Sequence, residues 1–163
     1  MSDIYDSASY QPCKSIGSML SRVKVEMLAA LDRDLGADKR LERLEMTAAQ
    51  YVVIANLART EEPRSAAELC KDISYDAGAM TRMLDRLESK GLIRRSRSAD
   101  DRRLLHLELT EEGRAAYPRM REISMTVANR FLRGFSRAEA RQLEGYLTRM
   151  LENAHGLAPR ASA

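Results

Sequence analysis

The residues best suited to chemistry in this chain are the arginines between positions 74 and 103. This stretch holds eight Lys or Arg residues against five acidic residues, and its excess of three equals the net charge of +3 of the whole chain. Arginine binds phosphate oxygens and the guanine edge through paired hydrogen bonds. The location of the charge, rather than its modest total, therefore predicts a nucleic-acid-binding surface.

The segment 76–90 is predicted to form a helix with two different faces. The apolar stripe, at helical spacing, consists of Met80, Met83, Leu84 and Leu87. The opposite side is small at its start and basic further along, and it consists of Gly78, Thr81, Arg82, Asp85 and Arg86. Such a side can approach an anionic surface closely, and Gly91 is placed to end the helix.

Two short β-like segments, 92–97 and 104–109, follow this helix. In the second, Leu105, Leu107 and Leu109 alternate with polar residues, which predicts a half-buried strand with the leucines inward. The tip between the segments, 98–103, is polar and charged. A two-faced helix followed by a β-hairpin with a basic tip predicts a winged helix-turn-helix, in which the helix enters the DNA major groove and the wing the minor groove.

Helical patterns account for most of the remaining chain. Capping-box sequences at 47–50, 65–68 and 136–139 predict three helix starts, and Thr110 predicts a fourth. A first helix is expected over about 15–35, ended by Gly36. Pro118 is expected to kink the helix after the wing or to make its first two turns irregular. The predicted fold class is mainly α with a small β-hairpin wing.

The first helix and the last two carry apolar stripes longer than so small a winged module can cover. This pattern predicts a symmetric homodimer. The expected organisation is one domain over 1–163, with dimerisation helices in 1–36 and 111–163 and the winged helix-turn-helix in 47–110.

Several classes of protein and site are not expected. The polar, acidic N-terminus does not resemble a signal peptide, and no apolar run approaches the roughly 18 residues of a membrane span, so a cytoplasmic location is expected. The two cysteines, Cys13 and Cys70, predict neither a disulfide framework nor a metal cluster. No catalytic constellation or Gly-rich phosphate loop is present, so no enzyme activity and no cofactor are expected.

The pattern D-A-G-A-M-T-R-M-L-D-R-L-x-x-K-G over 76–91, followed by D-x-R-x5-L-T-x2-G over 101–113, resembles the MarR family of transcriptional regulators. The resemblance extends over nearly the whole chain, and the wing signature is its most specific part. It implies a homodimer with winged helix-turn-helix lobes and a helical dimer interface. It also implies repression relieved by small aromatic or anionic ligands, or by oxidation.

The predicted contacts to double-stranded DNA lie on the helix and the wing: Ser74, Gly78, Thr81, Arg82, Arg86, Asp101, Arg102 and Arg103. Arg103 is expected in the minor groove with Asp101 holding its guanidinium, an arrangement that the resemblance also implies. Arg82 or Arg86 is expected on a guanine or a phosphate, and the helix start on phosphates. The alternative for each is a solvated charged surface.

Arg22 and Tyr51 are candidates to bind a small-molecule effector, with a surface ion pair and a core tyrosine as the alternative. Cys13 lies next to Lys14, which favours a thiolate, and peroxide-sensing MarR members use a cysteine near the start of their first helix. The alternative is an incidental exposed cysteine, whereas Cys70 is expected in the core.

Three functions remain open at this point. The first is a homodimeric repressor that binds a palindromic operator and is released by a small ligand. The second is the same repressor switched by oxidation of Cys13. The third is a winged-helix protein-interaction module without DNA binding, which the wing residues Asp101 and Arg103 and the localised charge disfavour.

Overall fold

The computed structural model describes residues 3–60, 62–73, 75–97 and 105–157. The described helices are α1 (Ile16–Ala37), α2 (Ala48–Leu57), α3 (Ala66–Ile73), α4 (Ala77–Ser89), α5 (Glu111–Phe131) and α6 (Arg137–Leu157). The described strands are β1 (Arg64–Ser65), β2 (Ile93–Arg97) and β3 (Leu105–Leu109). The predicted fold class, mainly α with a small β wing, is confirmed.

The strands form one antiparallel sheet in the order β1–β3–β2. Strand β3 pairs with β2 from Ile93 opposite Leu109 to Arg97 opposite Leu105. It pairs on its other edge with β1, which the sequence analysis did not predict because two residues are too few to show an alternating pattern.

The expectation that all three leucines of β3 point inward was wrong for Leu105. Leu107 and Leu109 are 1% and 4% exposed, whereas Leu105 is 49% exposed. Leu105 forms the outermost described pair of the hairpin, opposite the exposed Arg97, so it is furthest along the hairpin from the buried Ile93–Leu109 pair.

The three predicted capping boxes are confirmed. In α2 the backbone N–H of Gln50 donates to Thr47 Oγ1 and the N–H of Thr47 donates to Gln50 Oε1, both at 3.2 Å. The same reciprocal pairs join Ser65 with Glu68 and Ser136 with Glu139. The Ser136 hydrogen bonds lower the pKa of the Glu139 carboxyl below its ordinary value, because they stabilise its charged form.

Gly36 does not end α1, contrary to the sequence-based prediction. The helix continues to Ala37, and Asp38 caps it with extended backbone geometry. Asp38 then accepts a hydrogen bond from the backbone N–H of Arg40 at 3.0 Å, which turns the chain. Helix α5 is continuous from Glu111 to Phe131 with Pro118 inside it.

The chain divides into two compact units, of which the first is 1–127. Its core contains the largest fully buried side chains, among them Leu35, Ile54, Leu69, Met80, Leu87, Leu107 and Met120. The buried residues of α1 all lie in its second half. The apolar residues of its first half, Ile16, Met19, Leu20 and Val23, are 37–50% exposed.

The residues before α1 make contacts with one another and with the start of the helix. The Tyr5 and Tyr10 rings pack edge to face with centroids 5.2 Å apart. The Tyr5 hydroxyl accepts the backbone N–H of Ile16 at 3.2 Å, which satisfies a free donor of the first turn of α1.

The second unit, 128–163, contains α6. No described residue of α6 is buried. Its apolar side chains nevertheless recur at helical spacing, and Leu143, Tyr146, Met150 and Leu151 are 38–61% exposed. None of the described helices has both the length and the hydropathy needed to cross a membrane.

Candidate nucleic-acid interface

Helix α4 buries one face and exposes the other, as predicted. Met80, Leu84 and Leu87 are at most 2% exposed. Gly78, Thr81, Arg82, Asp85 and Arg86 are exposed. The helix begins after Asp76, whose carboxylate accepts the backbone N–H of Ala79 at 2.9 Å and offsets the positive end of the helix dipole.

Gly91 ends α4 in the left-handed conformation that the sequence predicted, with φ of 70°. Its N–H donates to Glu88 O at 2.9 Å, and the N–H of Leu92 donates to Leu87 O at 3.0 Å. These two bonds form a Schellman motif, which fixes the direction of the chain into β2.

Two arginines of the predicted basic surface form ion pairs with acidic residues of the same fold. Arg95 of β2 contacts Asp85 at 2.6 Å and Glu88 at 3.3 Å, which links the wing sheet to α4. Arg94 pairs across the strands with Glu108 at 2.7 Å, and this bond lowers the pKa of the Glu108 carboxyl.

Lys90, at the C-terminal end of α4, also has hydrogen-bond partners elsewhere in the fold. Its ammonium donates to the backbone carbonyl of Glu45 at 2.8 Å and to Gln50 Oε1 at 3.0 Å. The charge count from the sequence therefore overstated the number of cations that are free to bind DNA. The acceptors for Lys90 and Arg94 lie far away in the chain, so the sequence did not show these contacts.

Arg82 and Arg86 differ from these three residues. Both are exposed, and neither guanidinium group has a hydrogen bond or ion pair with another described residue. Since they are one turn apart on the same side of α4, they form a row of two unneutralised cations.

The first turns of α4 are less open than the sequence suggested. The Thr81 hydroxyl donates to Ala77 O at 2.9 Å. A Cβ at Gly78 would lie 3.3 Å from Asp76 Oδ1 and 3.7 Å from an Arg82 guanidinium nitrogen. The space beside Gly78 is thus bordered by one carboxylate and one of the free arginines.

The L-T-x2-G part of the wing signature has a structural reason. The Thr110 hydroxyl accepts the Gly113 N–H at 3.1 Å, which caps α5, and donates to Gly91 O at 2.5 Å. The Thr110 N–H donates to Leu92 O at 3.1 Å. The first turn of α5 is therefore bonded directly to the end of α4.

Gly113 is required by this close approach. A Cβ at Gly113 would lie 2.1 Å from Leu92 O and 3.1 Å from its carbonyl carbon. Backbone and not a movable side chain occupies the position, so a larger residue needs a displacement of β2 or α5.

The wing-tip residues Asp101, Arg102 and Arg103, and Ser74 before α4, lie outside the described residues. Their predicted contacts with DNA stay predictions.

The effector role of Arg22 and Tyr51 stays a prediction. Arg22 is exposed on α1, while Tyr51 is half-buried and packs against the core. A groove of about 420 Å³ lies between the residues after α1 and α5, and neither Arg22 nor Tyr51 lines it. It is lined by Arg40, Leu41, Arg43, Leu44, Glu112 and Arg119, among others.

Two ion pairs border this groove. Arg43 contacts Glu112 at 2.8 Å, and Arg119 contacts Asp38 at 2.6 Å. The bond from Arg119 lowers the pKa of the Asp38 carboxyl, and Asp38 in turn raises the pKa of Arg119. Sequence reasoning missed the groove because the two sides are about 70–80 residues apart in the chain.

The two cysteines lie where the sequence analysis placed them. Cys13 is free and exposed in a 3₁₀ turn, Pro12–Lys14, before α1. Cys70 is free, half-buried and packed against the core. Within the described residues, no group of three or more His, Cys, Asp or Glu side chains is placed to bind a metal ion.

Comparison with known proteins identifies the fold and the family. The MarR family model matches residues 46–105. The transcriptional regulator PA3341 is 30% identical, with a TM-score of 0.74, over 87% of this chain and 99% of that chain. Wild-type MarR from E. coli is 28% identical, with a TM-score of 0.66, over 84% and 96% of the two chains.

BpsR of Bordetella bronchiseptica, whose DNA binding is regulated by 6-hydroxynicotinic acid, is 25% identical with a TM-score of 0.72 over 88% and 96%. The family match, the near-complete overlap with PA3341 and the winged architecture agree. This chain belongs to the MarR family of transcriptional regulators, which are not enzymes.

Proposed function

We propose that this protein is a homodimeric, cytoplasmic repressor that reads a palindromic operator with α4 and releases it when a small aromatic or anionic ligand binds. One observation carries the proposal most directly. Among the described basic residues of 82–95, the side chains of Lys90, Arg94 and Arg95 bond to other groups of the fold, whereas the exposed side chains of Arg82 and Arg86 have no partner among the described residues.

The dimensions of α4 suit the major groove. Its 13 residues give a length of about 20 Å, and the groove, about 12 Å wide, admits an α-helix. Arg82 and Arg86 are about 6 Å apart along the axis, which is close to the spacing of two base pairs. Each guanidinium can therefore reach a different base pair, and guanine is the preferred partner of arginine.

The wing supplies the second contact in this proposal. Arg103, positioned by Asp101, enters the minor groove, and Arg102 contacts phosphates. The reading module is 47–110, and Ser74 and Gly78 bind phosphates near the start of α4.

The exposed apolar stripes of α1 and α6 support a dimer. Ile16, Met19, Leu20 and Val23 on α1, with Leu143, Tyr146, Met150 and Leu151 on α6, expose large apolar side chains at helical spacing. A second copy of the chain would cover them through the segments 1–36 and 111–163. A twofold axis would then place two α4 helices on half-sites about one DNA turn apart.

Ligand control is supported by BpsR, whose DNA binding is regulated by 6-hydroxynicotinic acid. Here Arg22 and Tyr51 remain candidates for a ligand carboxylate and ring. The groove bordered by Arg43 and Arg119 is a second candidate, because its volume of about 420 Å³ falls in the range of small-molecule sites.

The test compares Arg82→Ala and Arg102→Ala on two duplexes, a selected operator and a random sequence, by fluorescence anisotropy. Arg82→Ala is expected to weaken operator binding about 5- to 150-fold, the value of one base contact, and random binding far less. Arg102→Ala is expected to weaken both alike and to reduce the salt slope by about 0.9.

Lys39→Ala is the matched control, because Lys39 is an exposed basic residue outside the proposed dimer and DNA-binding segments and has no described ion pair. It removes the same charge away from α4. Equal losses of Arg82→Ala on operator and random DNA would remove the base-reading role of α4.

A further inference from the structure

The ammonium of Lys90 forms an unusual contact between α4 and α2. Lys90 is the C-cap residue of α4, and its side chain bonds the Glu45 carbonyl and Gln50 Oε1, which lie 45 and 40 residues away in the chain. Neither acceptor atom is ionised. The lysine therefore acts as a hydrogen-bond donor to two fixed oxygens and is not part of a surface ion pair.

Both acceptor oxygens belong to residues with defined local geometry. Gln50 is 3% exposed, and its Oε1 also accepts the Thr47 N–H in the capping box of α2. Glu45 has left-handed backbone angles, φ 43° and ψ 50°, which are uncommon for a residue other than glycine. The ammonium thus closes a network that already fixes the N-terminus of α2.

This network extends to α1. Asp32 of α1 accepts the backbone N–H of Ala48, the first residue of α2, at 2.6 Å. Three hydrogen bonds, through Gln50, Thr47 and Ala48, therefore connect the end of α4 to the second half of α1.

The stability of α2 does not account for the lysine. A cation close to the N-terminal turn of a helix is unfavourable, because the helix dipole is positive there. Burial also lowers the pKa of Lys90, with Glu45 opposing this effect and Arg86 adding to it. The same cation is favoured by the C-terminus of α4, where Lys90 is the C-cap residue, so the ammonium bridges two helix ends of opposite polarity, which suits a role in geometry.

The geometry in question is the orientation of α4. Arg82, Arg86 and Lys90 follow one another at intervals of four residues, so they lie in one row along the helix. Arg95 holds α4 from the wing through Asp85 and Glu88. Lys90, at the C-terminal end of the row that contains Arg82 and Arg86, connects α4 to α2 through its hydrogen bonds.

We propose that Lys90 is a positioning residue, which fixes the rotation and tilt of α4 against α2 so that Arg82 and Arg86 face the bases of the operator. This inference rests on the proposed function. Without the contact, α4 keeps its buried stripe and its charge pattern, but the guanidinium groups lose their register with the base edges. Non-specific attraction to phosphates is not affected by such a change.

The experiment uses full-length Lys90→Met, because Met has nearly the length and helix propensity of Lys but no donor. Lys90→Arg keeps the charge and the donors. Lys39→Met removes a positive charge at an exposed residue without a described ion pair, and it is the matched control. Operator and random-duplex affinities are measured over a range of salt concentrations, and hydrogen exchange of the α4 amides is measured by mass spectrometry.

Lys90→Met is expected to lose operator affinity about tenfold or more, the value of one base contact, with random binding within about twofold of Lys39→Met. Amides of 86–91 should exchange about tenfold faster in Lys90→Met alone. Lys90→Arg should retain most of the selectivity. If Lys90→Met does not purify in folded form, Lys90→Ala, which also lacks a donor, is judged by the same criteria.

Two results would overturn the proposal. Equal losses on both duplexes with a salt slope reduced by about 0.9 would make Lys90 a phosphate contact. Unchanged selectivity and unchanged exchange would make it an incidental surface contact. Failure of the wild-type protein to distinguish operator from random DNA would instead refute the proposed function, and hydrogen exchange would then decide only whether Lys90 anchors α4.

Discussion

Replacement of Gly113 by alanine tests the contact between the wing base and α5. The new Cβ would lie 2.1 Å from Leu92 O, against about 3.3 Å for an unstrained carbon–oxygen contact, so β2 or α5 must move by about 1.2 Å. Such a shift also threatens the hydrogen bond from Thr110 N to Leu92 O, now 3.1 Å long.

The size of the effect follows from three contributions. Overpacking against fixed backbone costs up to about 3 kcal/mol, and loss of the Thr110 bond adds about 1 kcal/mol. Alanine in a helix recovers about 1 kcal/mol relative to glycine. The free energy of unfolding should therefore fall by about 3 kcal/mol, which lowers Tm by about 6–12 °C for a chain of this length.

Gly36→Ala is the matched control. Gly36 lies within α1, and nothing within 4 Å would meet its Cβ. The same substitution should there raise Tm by up to about 4 °C, since only the helix propensity changes. Both variants are melted at equal protein concentration, because dimerisation makes Tm concentration-dependent. A Gly113→Ala variant as stable as wild type would refute the argument from close approach.

Three further predictions concern the caps, the ion pairs and the dimer. Thr110→Val removes the bond to Gly91 O and the cap on Gly113, so the free energy of unfolding in urea should fall by about 1–2 kcal/mol. The Thr126 hydroxyl bonds only Glu122 O of its own helix, so Thr126→Val should change this free energy by less than about 0.5 kcal/mol. Similar losses in the two variants would count against the cap. Arg119 lowers the folded-state pKa of Asp38, so the Asp38 carboxylate stabilises the fold above its ordinary pKa of 3.8 and loses this contribution as the pH falls below 3.8. Tm should therefore fall with decreasing pH more steeply in wild type than in Asp38→Asn. Parallel curves of Tm against pH would contradict a stabilising Asp38–Arg119 ion pair. Leu143→Glu combined with Leu151→Glu should halve the mass measured by light scattering, while Thr148→Glu on the same helix should not; an unchanged mass would exclude these α6 side chains from the dimer interface.

Local features of the fold could be predicted because their causes lie within a few residues. The stripe of α4, the Gly91 terminus and the three capping boxes depend on spacings of three or four residues, and all appear in the structure. Gly36 misled the prediction because helix termination there depends on Asp38 and its bonds, not on glycine alone.

The candidate site was only partly predictable, because its electrostatics depend on distant residues. The sequence placed Arg82 and Arg86 on the exposed face of α4 correctly. It could not reveal that Lys90 bonds Glu45 and Gln50 or that Arg94 pairs with Glu108, since folding alone brings these groups together. The groove between the residues after α1 and α5 has the same origin.

The central claim is that two copies of this chain read a specific DNA sequence with α4. The most direct test is selection from a random duplex pool with the purified protein, followed by sequencing of the bound DNA with and without reductant. The account predicts an enriched inverted repeat whose half-sites are centred about one helical turn apart. Enrichment only with reductant would favour control through Cys13. No enriched sequence in either condition would contradict specific DNA recognition by this protein.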